Sequence, residues 1–91
     1  MANGISVERN GLQSGIAVCK TCIHELQSTA ASLQQSYQNA GSGWKDENYA
    51  KLGGIVEECI AALKAPIPDI EDSMNTLNDM LRIMDEAEDV F

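Results

Sequence analysis

The chain has 91 residues, of which 44% are hydrophobic and only 4% aromatic, and a formal net charge of −8. A chain this short forms one domain at most, and its composition suits a helical bundle better than an enzyme with a walled pocket. The acidic balance argues against nucleic acid and anionic lipid as partners, because both are bound through clustered Lys and Arg.

The first half of the chain carries apolar residues at alternating steps of three and four. This spacing places them on one stripe of a helix. It predicts helix 1 over about 7–40, with Ser6 as its N-cap and Arg9 as the one interruption of the stripe. Gly11 and Gly15 are either tolerated weak points or sites where another backbone approaches closely. The first run is Ile5, Leu12, Ile16, Cys19, Ile23, Leu26, Ala30, Leu33 and Tyr37.

Glycine-rich residues follow and predict a turn over 41–45. Gly41 suits a left-handed residue that closes a helix, and Gly43 gives the chain freedom to reverse. Asp46 can cap the next helix by accepting from its free backbone N–H groups. Trp44 is a large aromatic residue in a turn, so it either folds back over the hairpin's end or anchors a partner.

A second run with the same rhythm predicts helix 2 over about 46–88. Pro66 and Pro68 interrupt its hydrogen bonding, but the run keeps its phase through them. We therefore expect one helix kinked near these prolines. The second run is Tyr49, Val56, Ile60, Leu63, Ile67, Ile70, Met74, Leu77, Leu81, Met84 and Phe91.

The two runs share a register. Paired members such as Tyr37 with Tyr49, and Leu12 with Met74, have residue numbers that add to 86, as facing residues of an antiparallel hairpin should. The sequence thus predicts an all-α, coiled-coil-like hairpin of two antiparallel helices, forming a single domain over 1–91. Two helices of this size bury little surface, so a protein partner is expected.

Acidic residues are concentrated after the turn: two precede it and twelve follow. The acidic surface is either a solvated face or a surface that meets a basic partner. Residues beyond Met84 overhang the predicted hairpin, so the tail ending in Phe91 is either frayed or recognised by a partner. The cluster of Met80, Ile83 and Met84 is either core or an adaptable docking surface.

Cys19, Cys22, His24 and Cys59 are the only residues whose grouping suggests a zinc or thiol-exchange site. The hairpin register separates Cys59 from Cys22, so we interpret them as core or surface thiols. We expect no enzyme, no catalytic residue and no metal or cofactor. No stretch is apolar enough to cross a membrane and no signal-peptide layout is present, which predicts a cytoplasmic protein or export by another route.

Two long antiparallel helices with a Trp in the turn resemble the small Trp-X-Gly (WXG, ESAT-like) proteins of bacterial type VII secretion. Here the turn reads Trp44-Lys45-Asp46, with Asp where that family has Gly. The family's export signal, a Tyr followed four residues later by an acid near the C-terminus, is absent from the sequence. The resemblance implies a hairpin that pairs into a four-helix assembly, with itself or with a related helical segment.

One subgroup of that family implies a more specific role. Its members bind the helical N-terminal region of an exported LXG-type toxin and help present it to the secretion machine. The resemblance implies that such a partner supplies the export signal. The residues expected to contact a partner are Trp44, Asp46, Met80, Ile83, Met84 and Phe91. The rival hypotheses are a cytoplasmic helical adaptor or homodimeric scaffold unrelated to export, and a small thiol or zinc sensor.

Overall fold

A computed structural model of the chain describes residues 7–89, and within that range the protein is helical, without strands. Helix α1 spans Arg9–Ala40, α2 spans Glu47–Lys64 and α3 spans Ile67–Asp89. Both α2 and α3 pack along α1, which makes a helical hairpin. The molecule measures 69 × 24 × 15 Å between Cα atoms, so it is a single layer of helices. The predicted all-α hairpin is confirmed.

The core is the seam that the three-four spacing predicts. Every member of the two runs that the structure describes is buried or half-buried. The most buried members are Leu12, Ile16, Ala30 and Val56. Outside the runs, the side chains described over 7–87 are exposed apart from five positions: Gly15, Gly41, Gly53, Met80 and Asp85. No large side chain described in this range is completely buried, because the layer has no second layer above it.

A turn of two residues, Ala65 and Pro66, separates α2 from α3. Ala65 keeps a right-handed helical conformation, and its N–H donates to the Ala61 carbonyl at 2.9 Å. Pro66 has no N–H to donate, which interrupts the ladder at this point. The seam keeps its phase across the interruption, since Leu63 and Ile67 are both half-buried. The kink stays a prediction.

The turn reverses the chain without the left-handed glycine that we predicted. Gly41 has φ −66° and ψ −14°, which is right-handed helical geometry, and Gly43 is not left-handed either. The prediction was wrong because Gly41 is needed for space rather than for backbone conformation. An added Cβ there would lie 2.8 Å from Cζ of Tyr49. The predicted cap at Ser6 lies outside the described residues, and Glu8 precedes α1 without a side-chain capping bond.

Candidate protein-binding site

Two tyrosines, one from α1 and one from α2, join these helices beside the turn. The rings of Tyr37 and Tyr49 stack with centroids 4.3 Å apart and planes 7° from parallel. The Tyr37 hydroxyl donates to the Tyr49 carbonyl at 2.9 Å, and the Tyr49 hydroxyl donates to the Tyr37 carbonyl at 2.7 Å. The pKa of Tyr37 is raised above its ordinary value, mainly because the hydroxyl is desolvated. The interaction with the Tyr49 side chain raises it further, to a smaller extent. This contact confirms the register that the two runs predict.

Glycines make room for both rings. A Cβ on Gly53 would lie 2.9 Å from Cζ of Tyr37, much as one on Gly41 would meet Tyr49. Gly15 approaches α3 in the same way, since its Cβ would lie 3.1 Å from Cδ1 of Leu77, whereas Gly11 faces open space. The close neighbour of Gly15 is thus the end of a side chain, so neither Gly11 nor Gly15 shows the close approach of another backbone.

Trp44 folds back onto this tyrosine pair. Its ring meets Tyr49 edge-on, with centroids 5.5 Å apart and planes at 73°. Two-fifths of its surface, 40%, stays exposed. The residue therefore covers the end of the hairpin and still offers an aromatic edge to solvent.

Asp46 caps α2 as predicted. Its Oδ1 accepts from the N–H groups of Asn48 and Tyr49 at 2.9 and 3.0 Å. The pKa of Asp46 lies below its ordinary value, first because of the Trp44 indole N–H and then because of these backbone donors, which favour the ionised carboxylate. The two residues expected to bind a partner at this end, Trp44 and Asp46, thus belong to one structural unit with Tyr49.

The large apolar side chains of the helices that lie outside the seam are on one side of the hairpin, where Met80 is half-buried and the others are exposed. Leu52 lies three residues after a seam residue, Tyr49. Met80 lies three residues after another, Leu77, and is 28 residues from Leu52. Ile55 and Ile83 each directly precede a seam residue, again 28 residues apart. Since eight turns of 3.5 residues separate each pair, all four share one side of α2 and α3. Val18 directly precedes the seam residue Cys19 and lies on the matching side of α1.

We call this side the open face, defined by Val18, Leu52, Ile55, Met80 and Ile83. Val18 is 68% exposed, and Ile55 and Ile83 are each 57% exposed. The only other large exposed hydrophobic residues described are Val7, before α1, and Trp44, in the turn. No large exposed hydrophobic described in the helices lies on the opposite side. Apolar surface confined to one side is typical of a protein-binding face.

Two of the clefts on this face lie near its ends. Near the free end a cleft of about 240 Å³ is lined by Val7, Met80, Ile83 and Met84. Near the turn a cleft of about 220 Å³ is lined by Leu33, Ser36, Tyr37, Ala40, Leu52 and Val56. The structure thus brings Met80, Ile83 and Met84 together, and adds Val7 to them. It places them at the opposite end of the hairpin from Trp44 and Asp46, while Phe91 lies outside the described residues.

The opposite side of the hairpin is polar, although it is not flat. A groove of about 400 Å³ runs there beside the proline interruption. Its lining mixes three apolar seam residues with amide and ammonium groups, as expected for a solvated surface. The lining residues are Gln27, Ala30, Ala31, Gln34, Ile60, Lys64 and Ile67.

Arg9 interrupts the first run because it forms an ion pair across the hairpin. Its guanidinium binds the Asp85 carboxylate through two hydrogen bonds. Both side chains lean toward the N-termini of their own helices, which lets them meet although their numbers add to more than 86. Asp85, predicted to overhang, is therefore held by its own hairpin.

The three cysteines that suggest a zinc or thiol-exchange site lie in α1 and α2. Cys22 and Cys59 are exposed, Cys19 is half-buried, and all three are free thiols. Within the described part of the chain no three His, Cys, Asp or Glu side chains gather as a metal site would require. None of the described helices combines the length and apolarity that crossing a membrane requires.

Comparison with known proteins identifies no relative. No family model matches the chain, no curated protein is significantly similar to it, and no solved structure matches its fold.

Proposed function

We propose that this chain is a non-enzymatic, protein-binding component of a type VII secretion system. In this proposal it is a WXG-like helical hairpin that pairs with itself or with the helical N-terminal region of an exported toxin. It acts there as targeting factor or co-secreted partner. Pairing would complete a four-helix assembly, the second layer that the hairpin lacks.

The observation that carries the proposal is the open face. A single layer of helices 15 Å thick leaves its large exposed helical hydrophobics on one side only. Packing a second pair of helices there would bury them in knobs-into-holes fashion. The position of Trp44, directly before the helix that Asp46 caps, adds the likeness to secreted hairpins.

A cytoplasmic adaptor or scaffold unrelated to export is the second candidate. One specific observation favours it: Trp44 packs edge-on against Tyr49, with the ring centroids 5.5 Å apart. That contact gives the turn tryptophan a role in closing the hairpin, so its presence does not require secretion. The open face would serve such an adaptor equally well.

The experiment that separates the two candidates combines co-purification with secretion. The tagged chain is co-expressed with LXG-type toxin N-terminal regions encoded in the same bacterium, and the culture medium is assayed for the toxin. The proposal predicts a stable complex, and toxin in the medium only when both the chain and the secretion ATPase are present. Normal toxin export after deletion of the chain would refute the secretion role and leave the adaptor.

A further inference from the structure

The border of the open face specifies the chemistry of its occupant. We infer that the occupant is an amphipathic helix whose apolar stripe is flanked by Lys and Arg, and that it lies along α2 and α3. This inference rests on the proposed function, because it names the chemistry of the helical partner that the function requires.

The apolar part of the face has the length and relief of a helix-binding groove. Large side chains stand near its two ends, with Leu52 and Ile55 toward the turn and Met80 and Ile83 toward the free end. Twenty-eight residues separate them, which is about 42 Å at helical rise. Apart from Asp69, the positions between are small or flat, so a helix of about 30 residues can approach closely along most of the length. These intermediate residues are Cys59, Ala62, Pro66, Ser73 and Thr76.

Asp69 is the one charged residue within this surface, and further charge lines its outer border. The positions equivalent to Leu52 and Met80 carry no charge, and those equivalent to Ile55 and Ile83 carry only Asp69. The next row outward holds Glu58, Asp72, Asp79 and Glu86, with Lys51 as its one basic residue. Apolar surface with a negative border fits a partner with apolar residues between positive ones.

Among the described residues, salt-bridge partners reach only the part of that border near the free end. Arg82 lies 3.0 Å from Glu86 and 3.9 Å from Asp79. Among the described residues no salt bridge involves Glu58, Asp69 or Asp72. A basic helix would neutralise these three carboxylates and would be steered toward them before contact.

A second copy of the chain would supply no such countercharge. Residues 45–91 hold twelve acidic and four basic side chains, whereas residues 1–44 hold two of each. Stacking the second helices of two copies would bring like-charged borders together. Stacking α2 and α3 over a partner copy's α1 would set the acidic border against an uncharged row, which consists of Ser14, Thr21, Ser28 and Gln35.

Three synthetic peptides of about 30 residues test the inference. They share one leucine seam and carry Lys, Gln or Glu at the positions that flank it. Binding to the full chain is measured by fluorescence anisotropy at physiological salt. We expect the Lys peptide to bind, the Gln peptide to bind about tenfold more weakly, and the Glu peptide not to bind.

Matched charge variants locate the binding. Glu58→Gln with Asp72→Asn removes two charges from the open-face border, and Glu57→Gln with Glu71→Gln removes two from the opposite side. All four side chains are exposed, so folding is retained. The first pair should weaken the Lys peptide about fivefold to tenfold and the second less than about twofold. Ile55→Ser with Ile83→Ser should abolish binding while leaving the circular dichroism spectrum unchanged.

Equal losses from the two charge pairs, or equal binding of the Lys and Glu peptides, would overturn the inference. So would self-association of the wild type that Ile55→Ser with Ile83→Ser removes, because the occupant would then be a second copy. That last result leaves the proposed function standing. If the secretion experiment fails but the peptides bind as expected, the proposed function is refuted. The inference that the open face binds a basic amphipathic helix then still stands.

Discussion

Gly53 and Gly54 are neighbours in α2, yet their surroundings differ. Gly53 lies under the ring of Tyr37, where a Cβ would clash with the ring at 2.9 Å from Cζ, whereas Gly54 has nothing within 4 Å of an added Cβ. The Tyr37 ring cannot retreat easily, because it is stacked on Tyr49 and bonded to the opposite helix. The two glycines are therefore a matched pair for testing the contact between Tyr37 and Tyr49.

Gly54→Ala should stabilise the chain by up to about 1 kcal/mol, because alanine is the better helix former. Gly53→Ala should destabilise it, since the gain in helix propensity is outweighed by displacement of Tyr37. The midpoints of urea unfolding, followed by circular dichroism, decide the matter. Equal stabilisation by both substitutions would show that the ring does not lie over Gly53.

Asp46 makes the turn sensitive to acid. Its lowered pKa means that its capping contribution is complete above the ordinary aspartate pKa of about 3.9 and is lost as pH falls through the lower folded value. We expect the fluorescence of Trp44, the only tryptophan, to change in that acid range. In Asp46→Asn this transition should be absent. The same fluorescence change in the variant would place the titrating group elsewhere.

At the scale of helices, periodicity alone predicted the seam. Every described seam residue is buried or half-buried, and the Tyr37–Tyr49 pair lies where the register places it. Two features escaped prediction because they depend on ring positions and long side chains: the role of Gly41 and the Arg9–Asp85 pair. The open face had a readable signal, the 28-residue repeat of Leu52 and Ile55 in Met80 and Ile83, although only the later pair was singled out.

A second prediction at this scale asks whether α2 and α3 are separate helices at the proline interruption. Pro68 is the second residue of α3, within the first turn, where a missing N–H leaves no intrahelical bond unmade. Pro68→Ala should therefore change the free energy of unfolding by less than about 1 kcal/mol. A gain near the roughly 3 kcal/mol of a mid-helix proline would mean that one continuous, strained helix runs through this region. Urea unfolding of the variant and of the wild type measures the difference.

At the scale of the molecule, the hairpin is a single layer of helices. Two aligned helices bury one seam, and no large side chain described is wholly enclosed. The acidic charge lies on the second half of the chain, where Asp69 alone falls within the open face. The sequence predicted the need for a partner from size. The hypothesis of a secretion partner rests on Trp44 in the turn and on a family resemblance. Neither the geometry of the hairpin nor the comparison with known proteins adds support to it.

Thermal unfolding of the isolated chain over a thousandfold range of protein concentration tests the central claim, that this hairpin is incomplete alone. We predict either a broad transition with little heat absorbed or a midpoint that rises with concentration as copies pair. A complete domain of this length would absorb about 60 kcal/mol in one sharp step. Such a step, with a midpoint independent of concentration, would contradict the account, because the single layer would then be a finished fold.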